Sequence, residues 1–173
     1  GKTTTTLMLL GLTDPTAGHA EIDGMDCTRQ SLAVKNEVGY LPDNVGFYPS
    51  MSGRENLIFS GMMNGLSKEQ ALDRAASMLE RVGMTYAADR KAGTYSRGMR
   101  QRLGIADVLM KDPGIIIMDE PTAMLDPSGR REVIRAARAL NDVENITIIL
   151  ITHYMDEAEY CDRVSIMVDG RIQ

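Results

Sequence analysis

The amino-acid sequence predicts an α/β fold with a mostly parallel sheet. Two short apolar segments, residues 115–118 and 146–151, resemble strands that are buried on both faces. Segments of helical periodicity alternate with the predicted strands, as in parallel α/β sheets. A wholly helical stretch interrupts this alternation in the middle of the chain. We therefore expect a core built from residues 1–48 and 112–173, with an inserted helical subdomain over residues 49–111.

The N-terminal part is predicted to contain one helix and two strands. Residues 4–12 have the apolar spacing of a helix. Residues 19–22 have the pattern of a strand that enters a tight turn at Asp23-Gly24. Residues 37–41 are expected to form the strand that precedes the helical stretch.

The helical stretch contains three predicted helices, over residues 52–63, 67–83 and 97–110. In the last two of these helices, apolar residues recur at helical spacing on one face. We expect both apolar stripes to be buried. They consist of Leu72, Ala75, Leu79 and Val82, and of Met99, Leu103, Ala106 and Met110.

The C-terminal part returns to alternating strands and helices. Asp126 has the side chain of an N-cap residue and Pro127 suits the first helical position, so a helix is predicted from there to about residue 143. A short helix over residues 155–161 carries two acidic residues, Asp156 and Glu157, near its positive end. A last strand is predicted over residues 163–168, before an aspartate–glycine turn.

Composition excludes several classes of protein. The chain has 173 residues and a formal net charge of −5, which argues against nucleic-acid binding through bulk charge. No apolar stretch approaches the roughly 20 residues that a membrane-spanning helix needs, and no secretory leader is recognisable. Cys27 and Cys161 form no disulfide framework, so we expect two reduced thiols in a cytosolic protein.

The first residues match part of a phosphate-binding motif. Gly1-Lys2-Thr3 is the tail of the loop G-x-x-x-x-G-K-[ST], so the sequence is expected to begin within this loop. Lys2 would place a positive charge beside the terminal phosphates of ATP, and the hydroxyl of Thr3 would bind Mg²⁺. Gly1 and Thr4 belong to the same set of expected nucleotide-binding residues.

Two adjacent carboxylates, Asp119 and Glu120, follow the predicted strand at residues 115–118. Ligands bind at the carboxyl ends of strands in parallel α/β sheets. Asp119 is therefore expected to hold the Mg²⁺ shell, and Glu120 to polarise water as a general base. An ordinary acidic strand end is the alternative, and the presence of Lys2 and Thr3 favours the catalytic interpretation.

Five motifs occur along the chain in a characteristic order: G-K-T-T-T, Y-S-R-G-M-R-Q-R, I-I-I-M-D-E-P-T, M-L-D-P and I-T-H. In this order they resemble the nucleotide-binding domain of ABC transporters, essentially from end to end. The resemblance implies a P-loop NTPase core of the RecA type, with ATP and Mg²⁺ as ligands and ATP hydrolysis coupled to transport. We expect this piece of 173 residues to be inactive by itself.

The resemblance also implies that two cassettes sandwich two ATP molecules head to tail. Ser96 and Gly98 would then contact the γ-phosphate of the nucleotide that the partner holds, while a plain N-cap is the alternative for Ser96. Arg97 belongs to the same set of expected nucleotide-binding residues. These residues belong to the motif Y-S-R-G-M-R-Q-R at residues 95–102, which is called the signature motif below. It departs from the commonest form, L-S-G-G-Q, at Tyr95, Arg97 and Met99. Variants of the type Y-S-[KR]-G-M resemble ATPases that serve exporter-type permeases, which favours export.

Basic residues cluster around the same motif, with no acidic residue among residues 90–102. They form either a solvated face or a surface close to a second ATP. They are Arg90, Lys91, Arg97, Arg100 and Arg102.

Three further residues take expected roles from the resemblance. His153 resembles the switch histidine, which senses the γ-phosphate and helps to orient water, although a lone histidine at a helix start is often structural. Asp126 resembles part of the loop that couples the two nucleotide sites. Asp43 stands where the family usually has a glutamine that contacts Mg²⁺ and the attacking water, and a carboxylate can still bind this cation.

The resemblance assigns the segment from Asn44 to Leu57 to the docking of the permease's coupling helix, and core packing is the alternative.

We expect a homodimeric cassette ATPase on the cytoplasmic face of the cell membrane, attached peripherally to a separate integral membrane permease, with no nucleic-acid partner. A soluble clamp on ribosomes or chromosomes, and a cassette that binds ATP only to regulate, are the alternatives.

Overall fold

The computed structural model describes residues 1–173 and has the predicted α/β architecture. The helices are α1 (Lys2–Leu9), α2 (Ser31–Glu37), α3 (Gly53–Met63), α4 (Lys68–Arg81), α5 (Arg97–Leu109), α6 (Pro127–Glu144) and α7 (Met155–Ala158). The strands are β1 (Glu21–Ile22), β2 (Met25–Asp26), β3 (Val38–Leu41), β4 (Ile115–Asp119), β5 (Thr147–Ile151), β6 (Met167–Val168) and β7 (Arg171–Ile172).

The central sheet consists of three parallel strands in the order β3-β4-β5. The middle strand, β4, is buried on both faces, as its uninterrupted apolar sequence predicts. Its register pairs Leu41 with Met118 and Asp119 with Ile151. All three strands therefore end at the same edge of the sheet.

Helices α3, α4 and α5 occupy the inserted segment and share one apolar cluster with the sheet. This cluster includes Leu57 from α3, Leu79 from α4, Leu103 from α5 and Ile116 from β4, all of them fully or almost fully buried. The stripe predicted for α5 is confirmed, because all four of its residues are buried. Helix α5 packs against β3, and α3 and α4 pack against α5 and against each other.

The stripe predicted for α4 is wrong at one position. Leu72 is 41% exposed, and Ala71 is buried in its place. The buried face of this helix follows Ala71, Ala75, Met78 and Leu79, a spacing of four, three and one residues. The small side chain of alanine suits the close contact with the neighbouring helix, whereas the larger leucine points to solvent.

Local capping explains where the helices begin. Ser52 with Glu55 and Ser67 with Gln70 form capping boxes at α3 and α4, in which each side chain bonds to the other residue's backbone N–H. Asp126 lies at the N-cap position of α6, as predicted, but its side chain makes no capping hydrogen bond. Pro127 provides the predicted first helical residue.

Two C-terminal predictions are too long. The strand predicted over residues 163–168 is limited to Met167–Val168, which pairs with Arg171–Ile172 across a turn whose two residues both have positive φ. The short helix predicted over residues 155–161 ends at Ala158.

No helix in the structure is both long enough and apolar enough to cross a membrane.

A close approach between β3 and α5 yields a test of the packing. Gly39 is buried, and a Cβ atom at this position would collide with Cγ1 of Val108. We expect Gly39→Ala to lower the free energy of unfolding by about 1–3 kcal/mol, the usual cost of overpacking. Gly46→Ala is the matched control, because a Cβ there meets nothing within 4 Å. Urea denaturation measures both variants, and equal stabilities would contradict the close approach.

Candidate active site

The carboxyl ends of β4 and β5 bring an acid and a histidine together. Glu120 leaves β4 with φ of 50°, and its backbone N–H donates to the carbonyl of Ile151 at 2.9 Å. This left-handed conformation is strained for a residue other than glycine, and such strain recurs at functional sites. It turns the side chain towards the loop that follows β5, where Oε2 of Glu120 pairs with Nδ1 of His153. The structure thus brings these two predicted site residues together.

Lys2 joins this pair from the start of α1. Its Nζ lies 3.8 Å from Oε1 of Glu120 and donates to the carbonyl of Thr152 at 3.3 Å. The first turn of α1 contains no acidic residue, and no side chain caps it. Its free backbone N–H groups and the ammonium of Lys2 therefore suit an anion such as a phosphate group.

Asp119 lies beside the same cluster and is buried. Burial raises the pKa of its carboxyl above the usual range, and the charges of Glu120 and Asp43 raise it further. The hydroxyls of Tyr40 and Thr3, which lie next to the carboxylate, act in the opposite direction on this pKa. The sequence contained no signal for Tyr40, whose place follows only from the pairing of β3 with β4.

Hydroxyl and carboxylate oxygens at one point form the kind of donor set that Mg²⁺ accepts. Thr3 and Asp119 meet this requirement, and the desolvated carboxylate would be stabilised by a cation. No group of three or more His, Cys, Asp or Glu side chains could hold a metal by itself. This fits Mg²⁺, which usually binds one or two carboxylates and completes its shell with water and phosphate oxygens.

Asp43 was expected to contact Mg²⁺ and the attacking water, but in the structure it is bonded to residues of α5. Its Oδ1 accepts a hydrogen bond from the Arg97 guanidinium at 2.7 Å, and its backbone carbonyl accepts one from Gln101 at 3.0 Å. The residue expected at the metal and a residue expected at a second nucleotide are therefore paired within one chain. The charge of Asp43 still acts on the pKa of Asp119.

The residues of the signature motif lie at the start of α5. Ser96 is the N-cap residue, and its hydroxyl accepts a hydrogen bond from the Met99 N–H at 3.2 Å, so the structural alternative for Ser96 is present. No hydrogen bond or ion pair links Ser96 or Gly98 to Lys2, Glu120 or His153. The structure thus does not bring the signature residues into the Glu120–His153–Lys2 cluster.

The basic residues around the signature motif have partners that their sequence neighbours do not reveal. Besides Arg97, Arg102 pairs with Glu132 at 3.2 Å, and Arg100 donates to the carbonyl of Tyr95 at 2.6 Å. In the folded chain, Arg97 and Arg102 therefore have acidic partners. The partners come from other elements and from the backbone.

A second layer of contacts surrounds the site, and the sequence contained no signal for it. Glu157 lies in the first turn of α7, as predicted, and it is buried there and accepts a hydrogen bond from the Thr122 hydroxyl. The guanidinium of Arg130 lies over the ring of Tyr154, at 3.7 Å from its centroid. Asp126, at the exposed start of α6, does not take part in these contacts.

The segment from Asn44 to Leu57 is partly buried. Leu57 is fully buried and Phe47 packs against the core, whereas Tyr48 is 53% exposed. The ring of Tyr48 meets that of Phe59 edge to face, with the centroids 5.2 Å apart. Core packing therefore accounts for some side chains of this segment, and an aromatic pair stays at the surface.

Comparisons with known proteins agree with this architecture. Residues 1–123 match the family described as ABC transporter. The chain is 38% identical over 173 residues to the linearmycin resistance ATP-binding protein LnrL of Bacillus subtilis strain 168, covering 99% of this chain and 55% of that protein. The chain thus spans about half the length of the curated relatives it matches.

Two solved structures share the fold. The structure of cbiO1 from Clostridium perfringens, described as part of the ABC transporter complex cbiONQ, superposes with a TM-score of 0.92 at 28% identity, over 100% of this chain and 71% of that one. The dimeric cassette MJ0796 bound to ADP and Pi superposes with a TM-score of 0.86 at 24% identity, over 100% and 78%. The chain belongs to the ABC transporter family and has the P-loop fold of its ATP-binding cassettes.

Proposed function

We propose that the protein hydrolyses ATP and that residues 1–48 and 112–173 form the catalytic core. The observation that supports this proposal is the meeting of Lys2, Glu120 and His153 at one edge of the sheet. A carboxylate that contacts both a cation and an imidazole forms a group that can bind phosphate, accept a proton and hold a water molecule. Residues 49–111 form the helical subdomain in this proposal.

Each residue of the cluster has a separate task. The Lys2 ammonium and the free N–H groups of α1 bind the terminal phosphates. Glu120 accepts the proton of the attacking water, and His153 orients the Glu120 carboxylate through Nδ1. Thr3 and Asp119 would hold Mg²⁺, which neutralises charge on the phosphate oxygens when it is bound.

The catalytic role of Glu120 can be tested by removing only its charge. We expect Glu120→Gln in the full-length protein to bind ATP but to lose about 10²–10⁴-fold in turnover, since an amide cannot accept the proton. We also expect the closed dimer to accumulate with ATP. Asp156→Asn is the control, because this nearby carboxylate is exposed and unpaired. Turnover of Glu120→Gln close to that of the unmodified protein would refute the assignment.

Asp43 provides a second test, of the metal site. We expect Asp43→Gln to retain ATP affinity but to shift the Mg²⁺ concentration needed for half-maximal turnover, since an amide oxygen is a weaker ligand than a carboxylate. Asp89→Gln is a matched control, because Asp89 also pairs with an arginine at 2.7 Å. This arginine, Arg54, is likewise distant from its partner in the sequence, by 35 positions. Identical Mg²⁺ titrations for Asp43→Gln and the unmodified protein would show that Asp43 is no ligand.

The same proposal includes a head-to-tail homodimer that drives export through a separate permease. Ser96, Arg97 and Gly98 lie outside the cluster of their own chain, so they can complete the site of a partner once the ion pair of Arg97 with Asp43 opens. The family membership supports transport. The resistance function in the name of LnrL supports the outward direction. The protein would then act peripherally at the inner face of the membrane.

The exposed aromatic pair of Tyr48 and Phe59 is the proposed point of contact with the permease. We expect the tagged full-length protein to co-purify from detergent-solubilised membranes with an integral membrane protein in a fixed ratio. Tyr48→Ala should reduce that ratio, whereas Tyr160→Ala should not, because Tyr160 is equally exposed at 52% but lies elsewhere. Recovery of ribosomes or DNA instead would support a cassette clamp and contradict the transporter proposal.

A further inference from the structure

A line of contacts leads from the start of α6 to the Glu120–His153 pair. The guanidinium of Arg130 lies 3.7 Å from the centroid of the Tyr154 ring. The Tyr154 ring in turn lies beside the His153 imidazole, with centroids 4.1 Å apart and an interplanar angle of 36°. His153 then pairs with Glu120 through Nδ1. The proposed mechanism assigns no task to Arg130 or Tyr154.

His153 needs such neighbours because little else restrains its ring. Its side chain is 53% exposed, and it lies in a loop beyond the end of β5. A single hydrogen bond at Nδ1 fixes one atom of the ring but not the orientation of the ring plane. Half-exposed side chains also exchange rotamers readily. The face of Tyr154 restricts this rotation by contact on one side of the imidazole.

Tyr154 is held in place from two directions. Its backbone N–H donates to Oγ1 of Thr152 at 3.0 Å, which fixes the turn of the loop. Its ring is held by Arg130, whose Nε also donates to the carbonyl of Leu125 at 3.3 Å. An arginine over an aromatic face is attracted by the ring quadrupole, and partial burial of the pair strengthens this attraction.

We propose that Arg130 and Tyr154 are positioning residues for His153. Arg130 fixes the Tyr154 ring, the ring fixes the plane of the imidazole, and the imidazole presents Nδ1 to Glu120. Because Arg130 is bonded to Leu125, a displacement of the loop before α6 changes the orientation of His153. This inference rests on the proposed function only for its effect on catalysis, and the geometry of the histidine can be tested without it.

The first measurement is an NMR spectrum of full-length protein with isotope-labelled histidine. Ring currents of Tyr154 shift the imidazole resonances of His153, whereas His19 is exposed and has no aromatic neighbour in the structure. His153→Gln assigns the resonance. We expect Tyr154→Leu and Arg130→Met each to move it towards the position of an exposed histidine. Tyr154→Phe retains the ring and should retain the shift.

Arg131→Met is the matched control, because Arg131 is the exposed neighbour of Arg130 and makes no hydrogen bond or ion pair. It should leave the resonance and turnover unchanged. Arg130→Met and Tyr154→Leu should lower kcat by about tenfold or more, the effect of misplacing a catalytic group, while the Kd for ATP stays within about twofold. Their combination should be no worse than either alone, as in a coupled pair.

The two readouts separate the failure of this inference from the failure of the proposed function. If the His153 resonance has the same position in Arg130→Met as in Arg131→Met, the positioning role is refuted, whatever the ATPase activity of the variants. If the resonance moves but the unmodified protein hydrolyses no ATP, the positioning holds and the proposed function fails. Should Arg130→Met unfold, Arg130→Gln and Tyr154→Leu provide the same comparison.

Discussion

The parallel pairing of β4 with both of its neighbours is the constraint on which the candidate site depends. Ile116, Ile117 and Met118 are completely buried, and each contributes about 1.5–3 kcal/mol of transfer free energy. Their burial fixes the position of the next two residues, Asp119 and Glu120, at the edge of the sheet. A register slip of one residue would draw a carboxylate into the apolar interior, which is costly for an unpaired charge.

Negative charge exceeds positive charge around Asp119 at this edge of the sheet, which would favour the binding of a cation there. Glu120 has Lys2 and His153 as partners, and Asp43 has Arg97, but Asp119 has only hydroxyl neighbours. The raised pKa of Asp119 is the measure of that imbalance, because burial and two like charges disfavour its ionised form. A divalent cation at this point would relieve the repulsion. The proposed binding of Mg²⁺ would thus stabilise this edge of the sheet, as does any ligand that binds only the folded state.

The sequence predicted the parts of the structure that depend on local pattern. The apolar run at β4 could be recognised because a strand covered on both faces has no polar position, and the buried face of α5 could be recognised from its spacing. One position on the face of α4 was predicted wrongly, since Ala71 and Leu72 both fit a helical period and only the neighbouring helix distinguishes them. Contacts such as Thr122 with Glu157 join residues 35 positions apart, and no pattern along the chain records them.

The pairing of Asp43 with Arg97 also shows how two sequence-based roles constrain each other. Fifty-four residues separate this carboxylate and guanidinium, and each was assigned to a different nucleotide. In the proposed dimer, Asp43 can bind Mg²⁺ and Arg97 can bind the partner's γ-phosphate only when their ion pair is open. Asp43 is 56% exposed, and exposed pairs of this kind contribute about 1 kcal/mol or less. The pair is therefore weak enough for a phosphate or a cation to replace, and both proposed roles are energetically accessible.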